Sequence, residues 1–273
     1  MTVEAIRVAP EWLRLREGAD AAARSTDLVS ALLRHAADTG PWIVHDLACG
    51  TGAMTRWLAP HLPGPQRWVI HDRDEHLLGV AAGAVPQVSA DGGRVDVEPR
   101  RSDITRLEPN DVARATLITA SAVLDLLTAA ELAAVVDLCA AAGCPVLLTL
   151  SVTGDVGLTP GHPLDARVAC AFDAHQRRVT PGGRLLGPDA PATAAARFRR
   201  GGADVLVRPS PWRLGGADAS LTEAWFTGWA DAACEHEPEL AAEIEGYVRD
   251  RLHQVRTGQL AATVGHADLL VLP

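Results

Sequence analysis

From Trp42 onward, short apolar segments alternate with helical patterns, and this alternation constrains the fold more than any other feature of the chain. It is typical of a doubly wound parallel sheet with helices on both faces. We therefore expect an α/β protein with a seven-stranded, mostly parallel sheet. The predicted strands are residues 42–47, 68–71, 94–98, 115–121, 145–151, 204–207 and 260–272.

Helical patterns fill most of the remaining chain. In residues 129–142, Leu132, Val135, Val136 and Cys139 share one face, which we expect to pack on the sheet. Residues 12–37 read as a helical cap, with Asp27 near a helix start. Residues 152–202 contain five prolines and read as a lid or binding loop. The other predicted helices are residues 52–61, 75–83, 221–235 and 238–256, the last two being insertions near the C-terminus.

Composition excludes several classes of function. The 273 residues are 48% hydrophobic, enough for a packed interior. A net charge of -9 argues against a nucleic-acid partner. The apolar runs are too short to cross a membrane and the N-terminus lacks a targeting pattern, so we expect a cytoplasmic protein without membrane contact. The five cysteines show no CxxC spacing, and we expect no metal site.

The first predicted strand runs directly into a glycine-rich turn, Val44-His45-Asp46-Leu47-Ala48-Cys49-Gly50-Thr51-Gly52, which a helix follows. Glycines let the backbone approach a ligand closely, and the helix N-terminus directs free N–H groups to the same place. A purely structural turn is the alternative. The position of the turn at the carboxyl end of a strand favours a ligand site.

The next strands also end in residues suited to a nucleotide-type ligand. Asp72, 26 residues after Asp46, has the spacing of a carboxylate that grips ribose hydroxyls. The alternative is a helix N-cap, a role that Asp74 can fill. Asp103 and Ile104 follow the third strand, where a carboxylate beside an apolar side chain suits an adenine ring. Small residues around Ser121 end the fourth strand and leave room for a ligand.

These motifs resemble those of class I S-adenosylmethionine-dependent methyltransferases, with good specificity over residues 42–151. Asp46 to Gly52 is similar to the family's first motif, although Ala48 stands where the family often has glycine. A nicotinamide-binding domain would need a third glycine where this chain has Thr55. The resemblance implies S-adenosylmethionine as cofactor, with the turn facing its methionine moiety. The cofactor-binding residues that follow are Asp46, Ala48, Cys49, Gly50, Gly52, Asp72, Arg73, Asp103, Ile104 and Ser121.

The resemblance also implies a Rossmann-like methyltransferase fold in one domain covering residues 1–273. Residues 1–40 would form the helical cap, residues 41–151 the cofactor-binding core and residues 152–273 the substrate side. Arg24 in the cap is either a partner for the cofactor carboxylate or a solvated helix arginine.

The expected reaction is methyl transfer to a small-molecule acceptor, with secondary metabolism suggested by association only. An RNA or protein acceptor, or a non-catalytic cofactor-binding protein, is the alternative, and the oligomeric state stays open, a homodimer being one option. His162 and His175 are candidate bases or surface residues. Asp125 faces the acceptor or caps a helix, a role that Thr128 can also fill. Trp12 could contact the acceptor, and so could Trp225 and Trp229, whose four-residue spacing is also typical of ordinary helix packing.

Overall fold

A computed structural model describes residues 8–36, 40–84, 86 and 88–273. Ten strands lie within these residues, and eight of them form one sheet. The strands are β1 (Trp42–Leu47), β2 (Gln66–Asp72), β3 (Val95–Arg101), β4 (Leu117–Ser121), β5 (Val146–Thr159), β6 (Val179–Thr180), β7 (Gly183–Arg184), β8 (Asp204–Pro209), β9 (Trp212–Leu214) and β10 (Ala261–Leu272).

Nine α-helices lie within the same described residues, and short 3-10 turns extend or replace some of them. Between β3 and β4 the connection contains only 3-10 turns, at Ile104–Arg106 and Pro109–Val112. The helices are α1 (Pro10–Ala23), α2 (Thr26–His35), α3 (Ala53–Leu58), α4 (Glu75–Gly83), α5 (Ala129–Ala142), α6 (Asp165–Gln176), α7 (Ala190–Arg200), α8 (Ala219–His236) and α9 (Ala241–Arg256).

The large sheet has the strand order β3-β2-β1-β4-β5-β10-β8, and the short β9 also pairs with β10. Strands β1 to β5 are parallel to one another, whereas β10 is antiparallel to β5, β8 and β9. The predicted α/β class and seven-stranded, mostly parallel sheet are confirmed, with β9 as an additional strand. This order with one antiparallel strand is the class I methyltransferase fold, and it brings the carboxyl ends of β1, β2 and β4 together at one edge.

The hydrophobic core lies in three clusters. One packs α5 and α7 on one face of the sheet, around Val136 and Phe198. A second packs α2, α3 and α4 on the opposite face, around Leu32 and Trp68. The third lies beside the extended ends of β5 and β10, where α6, α8 and α9 pack around Phe226. This third cluster supports the part of the molecule that faces the carboxyl edge of the sheet.

Residues 152–202 form mostly regular elements and not the long irregular connection that the prolines predict. Strand β5 continues through Thr159 because its second half pairs with the first half of β10. The remainder folds into α6, the two-stranded hairpin of β6 and β7, and α7. The stabilising partner of β5 lies about a hundred residues away in the chain, so the local pattern did not show it.

The N-terminal helical segment consists of two helices. Helix α1 ends at Ala23 and α2 begins at Thr26, with Ser25 as the N-cap and Asp27 in the first turn, near the helix start that the sequence predicts. The Ser25 hydroxyl accepts from the Leu28 N–H, and the Ser25 N–H donates to the buried Asp268 at 2.8 Å. This bond to the sheet fixes the turn between the two helices. The predicted end of the segment, Ala37, lies outside the described residues.

In the part of the chain that the structure describes, no helix has the length and apolar character needed to cross a membrane. Within the same residues, no group of three or more histidine, cysteine or acidic side chains converges in a way that could hold a metal ion.

Candidate functional site

A cavity of about 1330 Å³ opens at the carboxyl ends of β1, β2 and β4, and we call it the main cavity. It exceeds the roughly 300–1,000 Å³ of a typical small-ligand pocket, so it has room for two ligands. Helix α1 and the hairpin of β6 and β7 form walls above the sheet edge. Among the predicted site residues it is lined by Trp12, Arg24, Asp46, Ala48, Cys49, Gly50, Asp72, Arg73, Asp103, Ile104 and Ser121, and not by Gly52, Asp125, His162 or His175.

The glycine-rich turn adopts left-handed backbone angles at Ala48, Gly50 and Gly52, with φ of 54°, 55° and 82°. The amide groups of Gly50 and Gly52 are used within the protein. The Gly50 N–H donates to Asp72 Oδ2 at 2.9 Å, and the Gly52 N–H donates to the Cys49 carbonyl at 2.9 Å. The prediction that these two amides are free donors for a ligand is therefore wrong, because the tight turn satisfies them internally. Burial raises the pKa of the Cys49 thiol, which stays neutral.

Gly52 packs against α4 instead of lining the main cavity. A Cβ at this position would lie 3.1 Å from the Ala81 Cβ and 3.3 Å from the Ala81 Cα, at a φ that favours glycine. We expect Gly52→Ala to destabilise the protein by about 1–3 kcal/mol, measured as a lower urea midpoint. Gly18→Ala in α1 is the control, because nothing lies within 4 Å of its Cβ position. Gly18→Ala should raise stability by about 0.5–1 kcal/mol. A urea midpoint that changes equally in the two variants would contradict the packing role of Gly52.

Asp72 ends β2 and is 8% exposed at the floor of the main cavity. Its Oδ1 accepts from the Asp74 N–H at 2.9 Å, and its Oδ2 accepts from Gly50. Asp74, not Asp72, is the N-cap of α4, since its side chain accepts from His76 and Leu77. Each oxygen of a carboxylate has a second lone pair, so Asp72 keeps acceptor capacity toward the cavity.

Asp103 and Ile104 follow β3 on the same side of the main cavity as Asp72. Asp103 is exposed and caps the 3-10 turn, where its Oδ1 accepts from the Thr105 N–H at 3.0 Å and from the Thr105 hydroxyl at 2.7 Å. Ile104 is 8% exposed and offers an apolar surface to the cavity. Arg73 also lines this end, and its carbonyl accepts from Arg101.

Arg24 lies between α1 and α2 and is 4% exposed, so it is not the solvated helix arginine that one interpretation predicts. Its Nη2 donates to the Ser121 hydroxyl at 3.1 Å, and its guanidinium lies 5.4 Å from the Trp57 ring. Its Nε and Nη1 are buried without a hydrogen-bond partner among the described residues. Burial lowers the pKa of Arg24. A buried guanidinium with two unused donors lines this cavity, and such an arrangement suits an anionic ligand group.

Asp46 ends β1 below the glycine-rich turn and is fully buried. Its Oδ1 accepts from the Thr119 hydroxyl at 2.7 Å. Its Oδ2 has no hydrogen-bond partner within the described residues, although the Thr55 hydroxyl is near enough to lower its pKa slightly. Burial raises the pKa of Asp46 to about 7. Asp46 and Arg24 thus bring a carboxylate and a guanidinium with unused capacity to one end of the cavity.

The structure places the two candidate histidines away from the main cavity. His162 precedes α6, where its Nδ1 accepts from the Leu164 N–H and its ring lies 4.9 Å from the Tyr247 ring. His175 lies near the end of α6 with its Nε2 3.2 Å from Glu235. Neither histidine is positioned to act as a base in this cavity.

Asp125 lies in the 3-10 turn after β4, between Val123 and Leu126, which do line the cavity. It caps no α-helix, since Thr128 is the N-cap of α5 and forms a capping box with Glu131. Trp225 and Trp229 stack with their centroids 5.7 Å apart inside the third hydrophobic cluster, where their role is packing.

Charged residues of the cavity wall that sequence reasoning missed include Arg16, Asp20 and Arg178. Arg16 binds Asp20 through Nε at 2.9 Å and Nη2 at 3.1 Å, and Asp20 also accepts from Trp212 Nε1 at 2.9 Å. The four-residue spacing of Arg16 and Asp20 on a predicted helix was the available signal. Arg178 follows α6, in the segment that the sequence predicts as a loop.

No protein-family model matches the chain, and no curated protein matches it. Among solved structures, it is similar to an S-adenosylmethionine-dependent methyltransferase from Geobacter sulfurreducens in complex with S-adenosyl-L-homocysteine, at 15% identity and a TM-score of 0.44 over 98% of this chain and 100% of that one. An S-adenosylmethionine-dependent methyltransferase from Thiobacillus denitrificans, also in complex with S-adenosyl-L-homocysteine, has 14% identity and a TM-score of 0.45, over 98% of this chain and 100% of that one. A putative sarcosine dimethylglycine methyltransferase from Galdieria sulphuraria has 13% identity and a TM-score of 0.44, over 90% of this chain and 83% of that one. The fold assignment rests on the strand order and the antiparallel β10 described above.

Proposed function

We propose that this chain, which has the class I methyltransferase fold, transfers a methyl group from S-adenosylmethionine to a small-molecule acceptor in the main cavity. The observation that carries the proposal is the pairing of two buried residues of the main cavity: Arg24, whose guanidinium has two unpartnered nitrogens, and Asp46, whose Oδ2 is unpartnered. Both lie beside the glycine-rich turn. A ligand with one carboxylate and one ammonium group complements this pair of charges.

The methionine end of S-adenosylmethionine is such a zwitterion. Arg24 would hold its carboxylate through Nε and Nη1, while Ser121 keeps the guanidinium in place through Nη2. Asp46 would accept from the ammonium group with Oδ2. These assignments also explain why two polar side chains are buried with unused hydrogen-bonding capacity, which is costly without a ligand.

The adenosine end would lie over the ends of β2 and β3. Asp72 has acceptor capacity left for the ribose hydroxyls after bonding Gly50 and Asp74. Ile104 would cover the adenine ring, and Asp103 Oδ2 would accept from the exocyclic amine, since Oδ1 is used by Thr105. Arg73 contributes to the same wall.

When bound, the cofactor supplies an electrophilic methyl group on a sulfonium, so the protein's task is to align a nucleophile with it. Ser121 and Ala122 at the end of β4 leave space for this approach. Helix α1 and the β6–β7 hairpin form walls of the site and would limit the access of water to a bound cofactor. A small acceptor fits these walls and the net charge of -9, which disfavours RNA.

Calorimetric titration with S-adenosyl-L-homocysteine tests whether the protein binds this cofactor, on which all the assignments above depend. We expect a single site with a micromolar or lower dissociation constant, and methyl transfer from labelled S-adenosylmethionine to a member of a small-molecule panel. Absence of binding up to about 1 mM contradicts the proposal. A third outcome is that the protein binds the cofactor and methylates RNA or protein but no member of the panel. That outcome contradicts only the small-molecule acceptor and leaves the cofactor assignment intact.

The affinity for S-adenosyl-L-homocysteine should fall as the pH is lowered from 7 to 5. The pKa of Asp46 is raised to about 7 in the free protein, so its carboxyl group becomes protonated in this range, and only the carboxylate pairs with an ammonium group. The expected loss is up to about tenfold per pH unit, with proton release on binding that calorimetry detects in buffers of different ionisation enthalpy. Asp46→Asn should bind weakly and without this dependence. An unchanged pH dependence in that variant contradicts the assignment.

A further inference from the structure

The main cavity extends beyond the residues that the proposed function assigns to the cofactor. This remainder, which we call the acceptor pocket, is bounded by α1, the turn after β4 and the β6–β7 hairpin. We infer that the acceptor carries a carboxylate group that Arg178 binds, attached to an apolar body that packs against Trp12. The inference rests on the proposed function, because that function defines which part of the cavity the acceptor occupies.

The surface of the acceptor pocket is predominantly apolar, with contributions from three separate elements. Trp12 is half-buried on α1, and its ring lies 6.4 Å from the Trp212 ring. Such walls favour the apolar body of a ligand and leave its orientation to a few polar groups. The apolar residues of the pocket are Trp12, Leu126, Leu127, Val179, Pro181 and Leu185.

Two of the charged groups in this pocket are already committed to other partners. Arg16 is held by both oxygens of Asp20 and stacks over the Trp212 ring at 4.8 Å. Glu131 accepts from the N–H and the hydroxyl of Thr128 through the same oxygen, which fixes it as part of the α5 capping box. Its pairing with Asp20 leaves Arg16 little capacity to bind an acceptor. Glu131 is held in place through Oε2 but keeps Oε1 as an acceptor, so it can bind a donor group and cannot bind an anion.

Arg178 is different because its guanidinium lines the pocket without a charged partner. Its Nη1 donates to the His175 carbonyl at 3.2 Å, and it forms no ion pair with a carboxylate of the described residues. It is half-buried, so a charge-assisted hydrogen bond to a ligand is screened less than on an open surface. Asp125 attracts Arg178 from a distance, but burial raises the pKa of Asp125 to about 6, and Asp125 does not line the cavity.

A single uncommitted guanidinium matches a singly charged anion. A phosphate group carries nearly two charges and usually needs several donors, and the second arginine of this pocket is neutralised by Asp20. A carboxylate, which one guanidinium binds through two parallel bonds, is the chemical group that fits.

Arg184 provides a matched control on the same hairpin. Like Arg178, it donates through Nη1 to a carbonyl near the end of α6, that of Arg177 at 3.0 Å. It is exposed and does not line the main cavity. A general loss of positive charge or of hairpin stability would affect both variants, whereas loss of a ligand contact would affect only Arg178.

The test measures binding of acids and their neutral amides to the protein saturated with S-adenosyl-L-homocysteine. The pairs are salicylate and salicylamide, indole-3-acetate and indole-3-acetamide, and octanoate and octanamide. We expect at least one acid to bind about tenfold or more tightly than its amide, a preference lost in Arg178→Gln and kept in Arg184→Gln.

The inference is overturned if no acid is preferred over its amide, or if the preference survives in Arg178→Gln. Equal loss in both variants also overturns it, because the effect then comes from the hairpin as a whole. Failure of S-adenosyl-L-homocysteine itself to bind overturns the proposed function instead, and the two failures are thereby distinguished.

Discussion

Replacement of Arg24 by methionine should weaken the binding of S-adenosyl-L-homocysteine by about 2–5 kcal/mol, which is roughly thirtyfold or more. Among the described residues, the variant removes the only guanidinium with unpartnered buried nitrogens that belongs to a residue lining the main cavity, where we propose that the methionine moiety binds. The ligand carboxylate would then lose its charged partner in a desolvated site. We expect this to be the largest effect of any single substitution on cofactor affinity.

The same substitution should leave the free protein as stable as the wild type, or slightly more stable. The burial of Arg24 is offset by one hydrogen bond, to Ser121, by the Trp57 ring at 5.4 Å, and by more distant attraction from Asp20, Asp268 and Asp46. All three acids keep other partners, because Asp20 binds Arg16, Asp268 accepts from Ser25, Leu150 and Ser210, and Asp46 accepts from Thr119. Functional sites commonly contain side chains that bind a ligand and lower the stability of the free protein.

Calorimetry and urea denaturation of Arg24→Met, both without added ligand and with it, check the two expectations together. Unchanged affinity contradicts the role assigned to Arg24. A large loss of stability with no added ligand would show instead that the guanidinium is structural.

Replacement of Arg251 by methionine should lower the stability of the protein and leave its affinity for S-adenosyl-L-homocysteine nearly unchanged. This is the reverse of the effect expected for Arg24→Met. Arg251 is 1% exposed in α9, and its Nη2 donates to both oxygens of Asp165 at 2.7 Å. Its Nη1 donates to the Pro160 carbonyl at 2.6 Å, which ties α9 to the end of β5. Without Arg251, the partly exposed Asp165 keeps only the hydrogen bonds from Tyr247 and His162, so its charge is incompletely compensated. We expect a cost of about 3 kcal/mol, at the lower end for buried ion pairs.

Urea denaturation measures this cost, and cofactor affinity at low denaturant should stay within about twofold of the wild type, because Arg251 does not line the main cavity. If Arg251→Met does not fold, Arg251→Lys provides a milder variant with the same direction of change. Combining Arg251→Met with Asp165→Leu should cost less than the sum of the single effects, since no charge is then left unpaired. Additive losses contradict the importance of the ion pair.

The part of the fold that the sequence predicted well is the part determined by local patterns. Strand β1 and helices α4 and α5 have the predicted bounds, because apolar periodicity and N-caps at Asp74 and Thr128 act within a few residues. The glycine-rich turn and Asp72 were found for the same reason. Their signals lie in the sequence immediately around them.

What the sequence did not reveal depends on contacts between distant segments. The second half of β5 needs β10, and the break between α1 and α2 is held by Asp268, more than two hundred residues away. Arg24 reads locally as a solvated helix residue, and only its packing beside Ser121 shows a buried cation. The internal bonding of the Gly50 and Gly52 amides likewise depends on the three-dimensional turn, which residue types alone do not define.

A crystal structure of the protein with S-adenosyl-L-homocysteine would show where the cofactor binds. We expect the ligand carboxylate within hydrogen-bond distance of Arg24 Nε or Nη1, its ammonium group at Asp46 Oδ2, and its ribose hydroxyls at Asp72. A ligand bound elsewhere, or one whose carboxylate points away from Arg24, would contradict the proposed cofactor site.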